Sequence, residues 1–234
     1  MTAADDDELL EEQRSYYRAR APEYDHWWRR QGRYDRGEDE AREWLQQVAR
    51  VEEALAAFGA TGDVLELAGG TGWWTARLAA SANHLTVVDS SPETLALNRE
   101  RVGRAEVEYV VADLFEWRPT RTYDVVFFSF WLSHVPRARF AAFWTLVRTC
   151  VAPGGRAFLI DNRPDPAPRP NVNDPHVVEY GPDLHRRRLS DGSEFRVVKV
   201  MYEPDELQSL IEAEGWRAAI HATRWFLFGS AELT

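Results

Sequence analysis

The stretch Asp63-Val64-Leu65-Glu66-Leu67-Ala68-Gly69-Gly70-Thr71-Gly72 decides how the rest of the chain is read. Val64, Leu65 and Leu67 form a short apolar run of the kind buried in a sheet. Three glycines follow, which allow a tight turn and let a ligand come close to backbone. A helix opening at Gly72 would point its free N–H groups at whatever lies above that turn. The prediction is strand, glycine turn and helix N-terminus, arranged as a cradle for a ligand.

Outward from this turn, strand-like runs alternate with helical patterns. Strands are predicted at 63–67, 84–88, 106–111, 123–128 and 156–160, and helices at 72–82, 92–102 and 137–150. Such alternation predicts a parallel sheet with helices on both faces. Leu85-Thr86-Val87-Val88 and Val125-Val126-Phe127-Phe128 are nearly continuous apolar runs, as a doubly covered sheet requires. Ligands of such sheets bind at the carboxyl ends of the strands. The second strand ends at Asp89-Ser90-Ser91-Pro92, with Asp89 23 residues beyond Glu66. A carboxylate at that place suits a ribose diol, because it accepts two hydrogen bonds. Capping the next helix needs only Ser90 or Ser91 before Pro92. The third strand ends at Ala112-Asp113-Leu114-Phe115, an acid for an exocyclic amine beside apolar cover for a purine. The fourth ends at Ser129-Phe130-Trp131-Leu132-Ser133-His134, the fifth at Asp161-Asn162.

The flanks are less regular. Residues 6–19 read as a helix with acids in its first turn and Pro22 just beyond. Residues 16–28 are dense in aromatic and charged groups without a clean period. They read equally as a helix stapled to the core or as a lid over the glycine turn. A polar loop is predicted at 31–39. Trp44, Leu45, Val48, Val51, Leu55 and Phe58 then make a core-facing helical stripe closed by Gly59. Beyond the fifth strand, five prolines between 164 and 175 predict a stiff extended link. Strands follow at 177–180, 184–189 and 195–202, the last two joined by a turn at Ser190-Asp191-Gly192-Ser193. Arg186, Arg187 and Arg188 read as a solvated strand face with alternate residues outward, or as recognition of an anionic or polyhydroxyl substrate. A helix at 204–214 and strands at 216–223 and 224–229 complete the pattern.

Length and charge bound the function. A chain of 234 residues suits one domain: a lid at 1–40, a core at 62–161, an insertion at 163–203 and a C-terminal helix with strands at 204–234. A net charge of −10 argues against nucleic acid as partner, since neutralising phosphates needs a basic field. No apolar run reaches membrane-spanning length. Asp5, Asp6, Asp7 and Glu8 are the opposite of a secretory or mitochondrial leader, so a cytoplasmic location is expected. The single cysteine, Cys150, sits in an apolar helical pattern and reads as a core thiol; no metal site is expected.

The glycine turn is not the dinucleotide fingerprint G-x-G-x-x-G. Its form is acid-x-x-x-Gly-x-Gly, carried by Glu66, Gly70 and Gly72. Together with Asp89, the Asp113-Leu114 pair, Tyr123-Asp124-Val125-Val126 and Ala152-Pro153-Gly154-Gly155, it resembles the class I S-adenosylmethionine-dependent methyltransferases of small-molecule type. Ala68 stands where many members have their first glycine. The resemblance implies a Rossmann-like α/β fold with a doubly wound seven-stranded sheet, order 3-2-1-4-5-7-6 and strand 7 antiparallel. It implies S-adenosylmethionine as cofactor, its methionine end over Ala68, Gly69, Gly70 and Gly72 and near Ser129 and Phe130. Its ribose would lie at Asp89 and Ser90, its adenine at Asp113 and Leu114, with Tyr17 of the lid joining the cofactor set.

The expected reaction is methyl transfer to a hydroxyl of a small molecule such as a sugar or glycoside. His134 is the candidate general base, because histidine titrates near neutrality. Its competing reading is a cap on the helix that Pro136 opens, and Glu23 is the next candidate, with Asp161 behind it. Tyr24, Trp27, Trp131 and Asp161 are the candidate substrate residues, joined by Trp28 and Trp74 as apolar faces for a sugar ring. The alternatives are a phenol, carboxylate or amine acceptor, or binding of the cofactor without turnover.

Overall fold

The computed structural model describes residues 3–163, 177–181 and 183–234. The proline-rich link lies outside the described residues. The central sheet is built from β1 (Asp63–Leu67), β2 (His84–Asp89), β3 (Glu108–Val111), β4 (Tyr123–Ser129), β5 (Val151–Asn162), β9 (Trp216–Ala222) and β10 (Phe226–Leu233). Its order is β3-β2-β1-β4-β5-β10-β9, with β10 antiparallel to both neighbours and the remaining pairs parallel. This is the seven-stranded arrangement expected from the resemblance. A second sheet, β6 (Val177–Tyr180), β7 (Leu184–Arg188) and β8 (Glu194–Val198), is formed by the insertion.

Strand alternation sorts the core into two layers. Leu65, Leu67, Val126, Phe128 and Leu159 face α6 (Phe140–Cys150) and α7 (Pro204–Ala213), where Trp144, Val147, Leu207 and Ile211 are buried. Val64, Val125, Phe127 and Phe158 face α3 (Glu38–Phe58), α4 (Thr75–Leu78) and α5 (Pro92–Val102). Cys150 is a buried core thiol. No helix among the described residues is long and apolar enough to cross a membrane.

Several elements differ from their predicted extents: β5 begins at Val151 rather than 156, and β10 covers Phe226–Leu233 rather than 224–229. The helix predicted at 72–82 shrinks to α4, because turns occupy the residues around it. The helix predicted from 137 opens as a 3-10 turn over Arg137–Arg139 before α6 begins. Strand β8 ends at Val198, where the chain leaves the small sheet and Lys199 N–H bonds to the Asp183 carbonyl.

The N-terminal helices lie over the glycine turn. Helix α1 (Ala3–Arg20) packs on β8, a 3-10 turn follows at Ala21–Glu23, and α2 (Tyr24–Trp28) descends to the turn. Asp25 accepts a hydrogen bond from Thr71 Oγ1 at 2.8 Å and forms an ion pair with Arg101. Arg14 forms an ion pair with Asp113 at 2.5 Å. The N-terminal helices are therefore tied to the glycine turn at Thr71 and to the residues after β3 at Asp113.

Candidate functional site

The turn after β1 is held from beneath by a residue the sequence reading did not mark. Asn98 of α5 is fully buried, and its amide donates to the Gly69 and Gly70 carbonyls at 3.2 Å and to Thr75 Oγ1 at 2.8 Å. Its own oxygen accepts from Tyr109 Oη, and Thr75 in turn donates to Glu66 Oε2 at 2.5 Å. The glycines make this contact possible. A Cβ on Gly69 would stand 2.3 Å from Val87 Cγ1, and one on Gly72 2.8 Å from Asn98. Gly69, Gly72 and Glu66 thus build the turn from below, whereas Ala68 and Gly70 face the cavity above it. Asn98→Ala should cost about 2–3 kcal/mol in urea unfolding, because it orphans two carbonyls and a hydroxyl in the core. A loss under 1 kcal/mol would show that the turn holds itself.

Ala68 and Phe130 carry φ of +55° and +52°, left-handed values that cost a non-glycine residue of order 1–2 kcal/mol. They end β1 and begin the chain beyond β4, and both line the cavity above the turn. The Ala68 value explains on physical grounds why a glycine suits this place. Strain of this kind clusters where backbone must meet a ligand.

That cavity is the first of two chambers. Its floor is Ala68, Gly70, Thr71, Asp89, Ser90, Thr94, Asp113, Leu114, Phe115, Ser129, Phe130 and Trp131, and its roof is Leu10, Gln13, Arg14, Tyr17 and Tyr24. Asp89 Oδ2 accepts from Gly70 N–H at 2.9 Å, and Oδ1 accepts from Ser91 N–H at 2.9 Å. Burial raises its pKa, and these hydrogen bonds work in the opposite sense. Asp113 Oδ1 accepts from Phe115 N–H at 3.0 Å while Oδ2 meets Arg14.

A second chamber, about 220 Å³, opens on the far side of Tyr17, Tyr24, Phe130 and His134, the four residues common to both linings. Its remaining described wall is Arg20, Trp27, Asn162, Arg163, Val177, His185, Arg187, Lys199 and Met201. At the aperture, His134 is buried. Its Nδ1 lies 2.7 Å from the Val198 carbonyl, which can only accept, so Nδ1 carries the hydrogen. Burial first, then Lys199, Arg187 and Arg20, hold its pKa well below the usual value, so the ring is neutral at pH 7. The free lone pair on Nε2 then accepts from Tyr17 Oη at 2.7 Å. Burial raises the Tyr17 pKa, which keeps its proton in place as the donor.

The fold, the turn and the chambers match known methyltransferases. Residues 64–155 match a family described as "Methyltransferase domain". The chain is 30% identical over 183 residues to the demethylmenaquinone methyltransferase of Clavibacter sepedonicus, covering 75% of this chain and 74% of that protein. The chain belongs to the class I S-adenosylmethionine-dependent methyltransferases. The methyltransferase is also 39% identical to DhpI, solved as a complex with SAM and HEP, with a TM-score of 0.77 over 96% of this chain and 97% of that one. A 1,6-didemethyltoxoflavin-N1-methyltransferase of Burkholderia thailandensis shares the fold at 16% identity and a TM-score of 0.63, over 100% of this chain and 91% of that one. The cofactor is S-adenosylmethionine.

The predicted site residues of the methyltransferase separate into three groups. Tyr17, Ala68, Gly70, Asp89, Ser90, Asp113, Leu114, Ser129 and Phe130 line the first chamber, with His134 and Tyr24 at the aperture. Trp27 reaches the second chamber, whereas Trp131 stands in the first, tilted against Phe115 at 5.6 Å between ring centres. Glu23 lines neither described wall and belongs to the 3-10 turn between α1 and α2. Asp161 is buried behind the wall, accepting from Ser133 N–H at 2.8 Å and standing 3.9 Å from Lys199 Nζ. Trp28 and Trp74 are buried in the core and offer no face to a ligand. Of the tryptophans proposed for a sugar, Trp27 alone lines the second chamber, and it packs on Trp28, Trp44 and Phe130.

Four residues escaped the sequence reading. Asn98 is one; its signal was a polar side chain on the inward face of α5 beside Leu95. Gln13 donates to the His134 carbonyl at 3.1 Å and accepts from Val198 N–H at 3.0 Å, fixing both segments that orient the histidine. Arg20 and Lys199 carry no local signal, because only the closure of α1 and the insertion onto the sheet brings them to one wall.

Proposed function

We propose that this methyltransferase moves the methyl group of S-adenosylmethionine to an oxygen of a small polar molecule seated in the second chamber. The observation that carries the reading is the shared aperture: two chambers, one over the glycine turn and one under the insertion, meet at Tyr17, Tyr24, Phe130 and His134. The cofactor supplies an electrophilic methyl carbon on a sulfonium. In this reading Asp89 and Ser90 take the ribose, and Asp113, Leu114 and Phe115 take the adenine. Ala68, Gly70, Ser129 and Phe130 receive the methionine end. Gly70 supports it, because a Cβ there would meet nothing within 4 Å and the space above is open to a ligand.

Methyl transfer needs alignment and dryness more than acid–base chemistry. Tyr17, Tyr24 and Phe130 supply apolar walls at the point of transfer. For a hydroxyl acceptor, its proton would pass to Tyr17 as Tyr17 passes its own to His134 Nε2, so His134 serves as base through the tyrosine. The wall supplies N–H donors from Arg20, Arg187 and Lys199, which suits an oxygen acceptor better than an amine. It also supports a charged acceptor over a neutral sugar, for which one tryptophan and no described lining carboxylate remain.

S-adenosylhomocysteine at a hundredfold above its Kd should stabilise the chain by about 2.7 kcal/mol, a rise of roughly 5–10 °C in Tm. Absence of any shift at millimolar ligand would refute cofactor binding. Turnover is read as homocysteine release across phenols, carboxylates, phosphonates, amines and glycosides. Binding without turnover on every acceptor would favour a cofactor-binding protein without catalysis.

A further inference from the structure

A hydrogen-bonded ring closes through Gln13, and every donor in it points the same way round. His134 Nδ1–H donates to the Val198 carbonyl at 2.7 Å. Val198 N–H donates to Gln13 Oε1 at 3.0 Å, and Gln13 Nε2 donates to the His134 carbonyl at 3.1 Å. All three residues are buried. A main-chain carbonyl only accepts and a main-chain N–H only donates, so one orientation of the Gln13 amide serves both partners. Bonds joined head to tail polarise and strengthen one another in a low-dielectric interior.

Val198 ends β8, an edge strand of the small sheet, and both of its main-chain groups are taken up by this ring. A residue that merely covered the sheet edge would need only an acceptor, as Glu12 does for the Arg196 N–H. Gln13 supplies acceptor and donor together, and the donor ends on the residue whose ring the Val198 carbonyl orients. Gln13 and Tyr17 stand four residues apart on α1, so one face of the helix reaches His134 at two points. Gln13 takes its main chain, and Tyr17 Oη meets Nε2 at 2.7 Å.

The tautomer of a histidine is set by the partner that each ring nitrogen finds. In water the free side chain favours hydrogen on Nε2. At His134 the Val198 carbonyl draws it to Nδ1 and leaves the Nε2 lone pair facing Tyr17. With hydrogen on Nε2 the ring would donate to Tyr17 Oη and could take no proton from it. Resting on the reading above, in which His134 is base through Tyr17, we infer that Gln13 is a positioning residue that fixes His134 in its Nδ1–H tautomer by locking the Val198 carbonyl against Nδ1. Gln13 touches no reacting atom. It also lines the roof of the first chamber, so the seating of α1 over the cofactor and the readiness of the base are one event.

NMR of the full chain with isotope-labelled histidine nitrogens reads the tautomer directly, at neutral pH and without an acceptor. A ring nitrogen that carries hydrogen resonates far upfield of one that does not, and His134→Gln assigns the signal. In the parent chain His134 should show Nδ1–H and a bare Nε2. Gln13→Met, similar in length but unable to bridge, should lose that pattern and make Nε2–H the major form, and Gln13→Leu should do the same. Tyr17→Phe removes the contact to Nε2 but leaves the ring of three intact, so Nδ1–H should persist there. General loosening of α1 would disturb all three variants alike. His84 and His221, on β2 and β9, should keep their parent signals throughout, which reports that the central sheet is folded. The inference is overturned if the parent carries its hydrogen on Nε2, if both Gln13 variants keep Nδ1–H as the major form, or if Tyr17→Phe loses it as Gln13→Met does. These outcomes are separate from the methyltransferase reading, which fails instead if no acceptor turns over or if His134→Ala leaves turnover unchanged.

Discussion

Asp89→Ala should weaken S-adenosylhomocysteine binding by about 10²-fold or more, the largest effect on affinity expected from any single residue of the first chamber. Its carboxylate stands at the end of β2, facing the cavity, with Gly70 and Ser91 N–H groups already bound. Thr94 Oγ1 stands 3.2 Å from Oδ1 but shares its one hydrogen with the Ser91 carbonyl at 2.9 Å, so it yields to a ribose diol, whose two hydrogen bonds complete a capacity of about four. Hydrogen bonds to a charged group contribute about 1.5–3 kcal/mol each, so losing two removes about 3 kcal/mol at the low end. That corresponds to roughly 10²-fold in Kd. The substitution also removes the support of Gly70 N–H, so unfolding of the free chain must be measured beside binding. A ligand without its ribose hydroxyls separates the two effects. Asp89→Ala and the stripped ligand should each lose a similar amount, and the pair together scarcely more than either alone. Ser81→Ala, at an exposed site, should bind within about twofold of the parent chain. A change below threefold in Asp89→Ala would remove Asp89 from the ribose.

How much of this site could be read beforehand depended on whether a residue's role is local. The strand ends are local: an apolar run followed by an acid or a glycine marks Asp89, Asp113 and the turn at 68–72 without any knowledge of packing. The sheet order follows from the resemblance those residues carry. The aperture was half legible, because His134 follows β4 directly while its partners come from α1 and β8, residues distant in the chain. The wall of the second chamber was nearly illegible. Arg187 lay in view as the middle of three arginines, and strand alternation alone allowed that one of them pointed inward, but not which. Arg20 ends a helix whose surroundings are set entirely by docking on β8. The tryptophans misled for the opposite reason: their chemistry suits a sugar, yet Trp28 and Trp74 are spent on packing α2 and the start of α4 against the sheet. Burial is a property of the assembled layers, and no spacing in the sequence distinguishes a ring that fills a core from one that lines a cavity.

Glu66→Gln should raise the stability of the ligand-free chain, and the gain should grow with pH. Glu66 is buried on the face of β1 that meets α4 and α5, bonded by Thr75. Burial pushes its pKa up to about 8 from 4.5, the Thr75 hydrogen bond opposes this, and the Asp89 charge adds to it. The sign follows from proton binding. Below about pH 4.5 the group is protonated folded or unfolded, and it contributes nothing to pH dependence. Between 4.5 and about 8 the folded chain keeps a proton that the unfolded chain releases, so each rising pH unit costs about 1.4 kcal/mol. Above about 8 the cost is constant, near 5 kcal/mol as an upper bound. Glutamine cannot ionise, so the variant escapes that loss, less whatever its second amide hydrogen costs without an acceptor in the same space. Urea unfolding at pH 5, 7 and 8.5 should therefore give parent and variant curves that diverge upward for the variant. Parallel curves would mean that Glu66 is ionised in the folded chain at neutral pH. In that case the acid beneath the glycine turn would add a fixed negative charge under a cofactor that carries a positive sulfonium, and its contribution would be to binding.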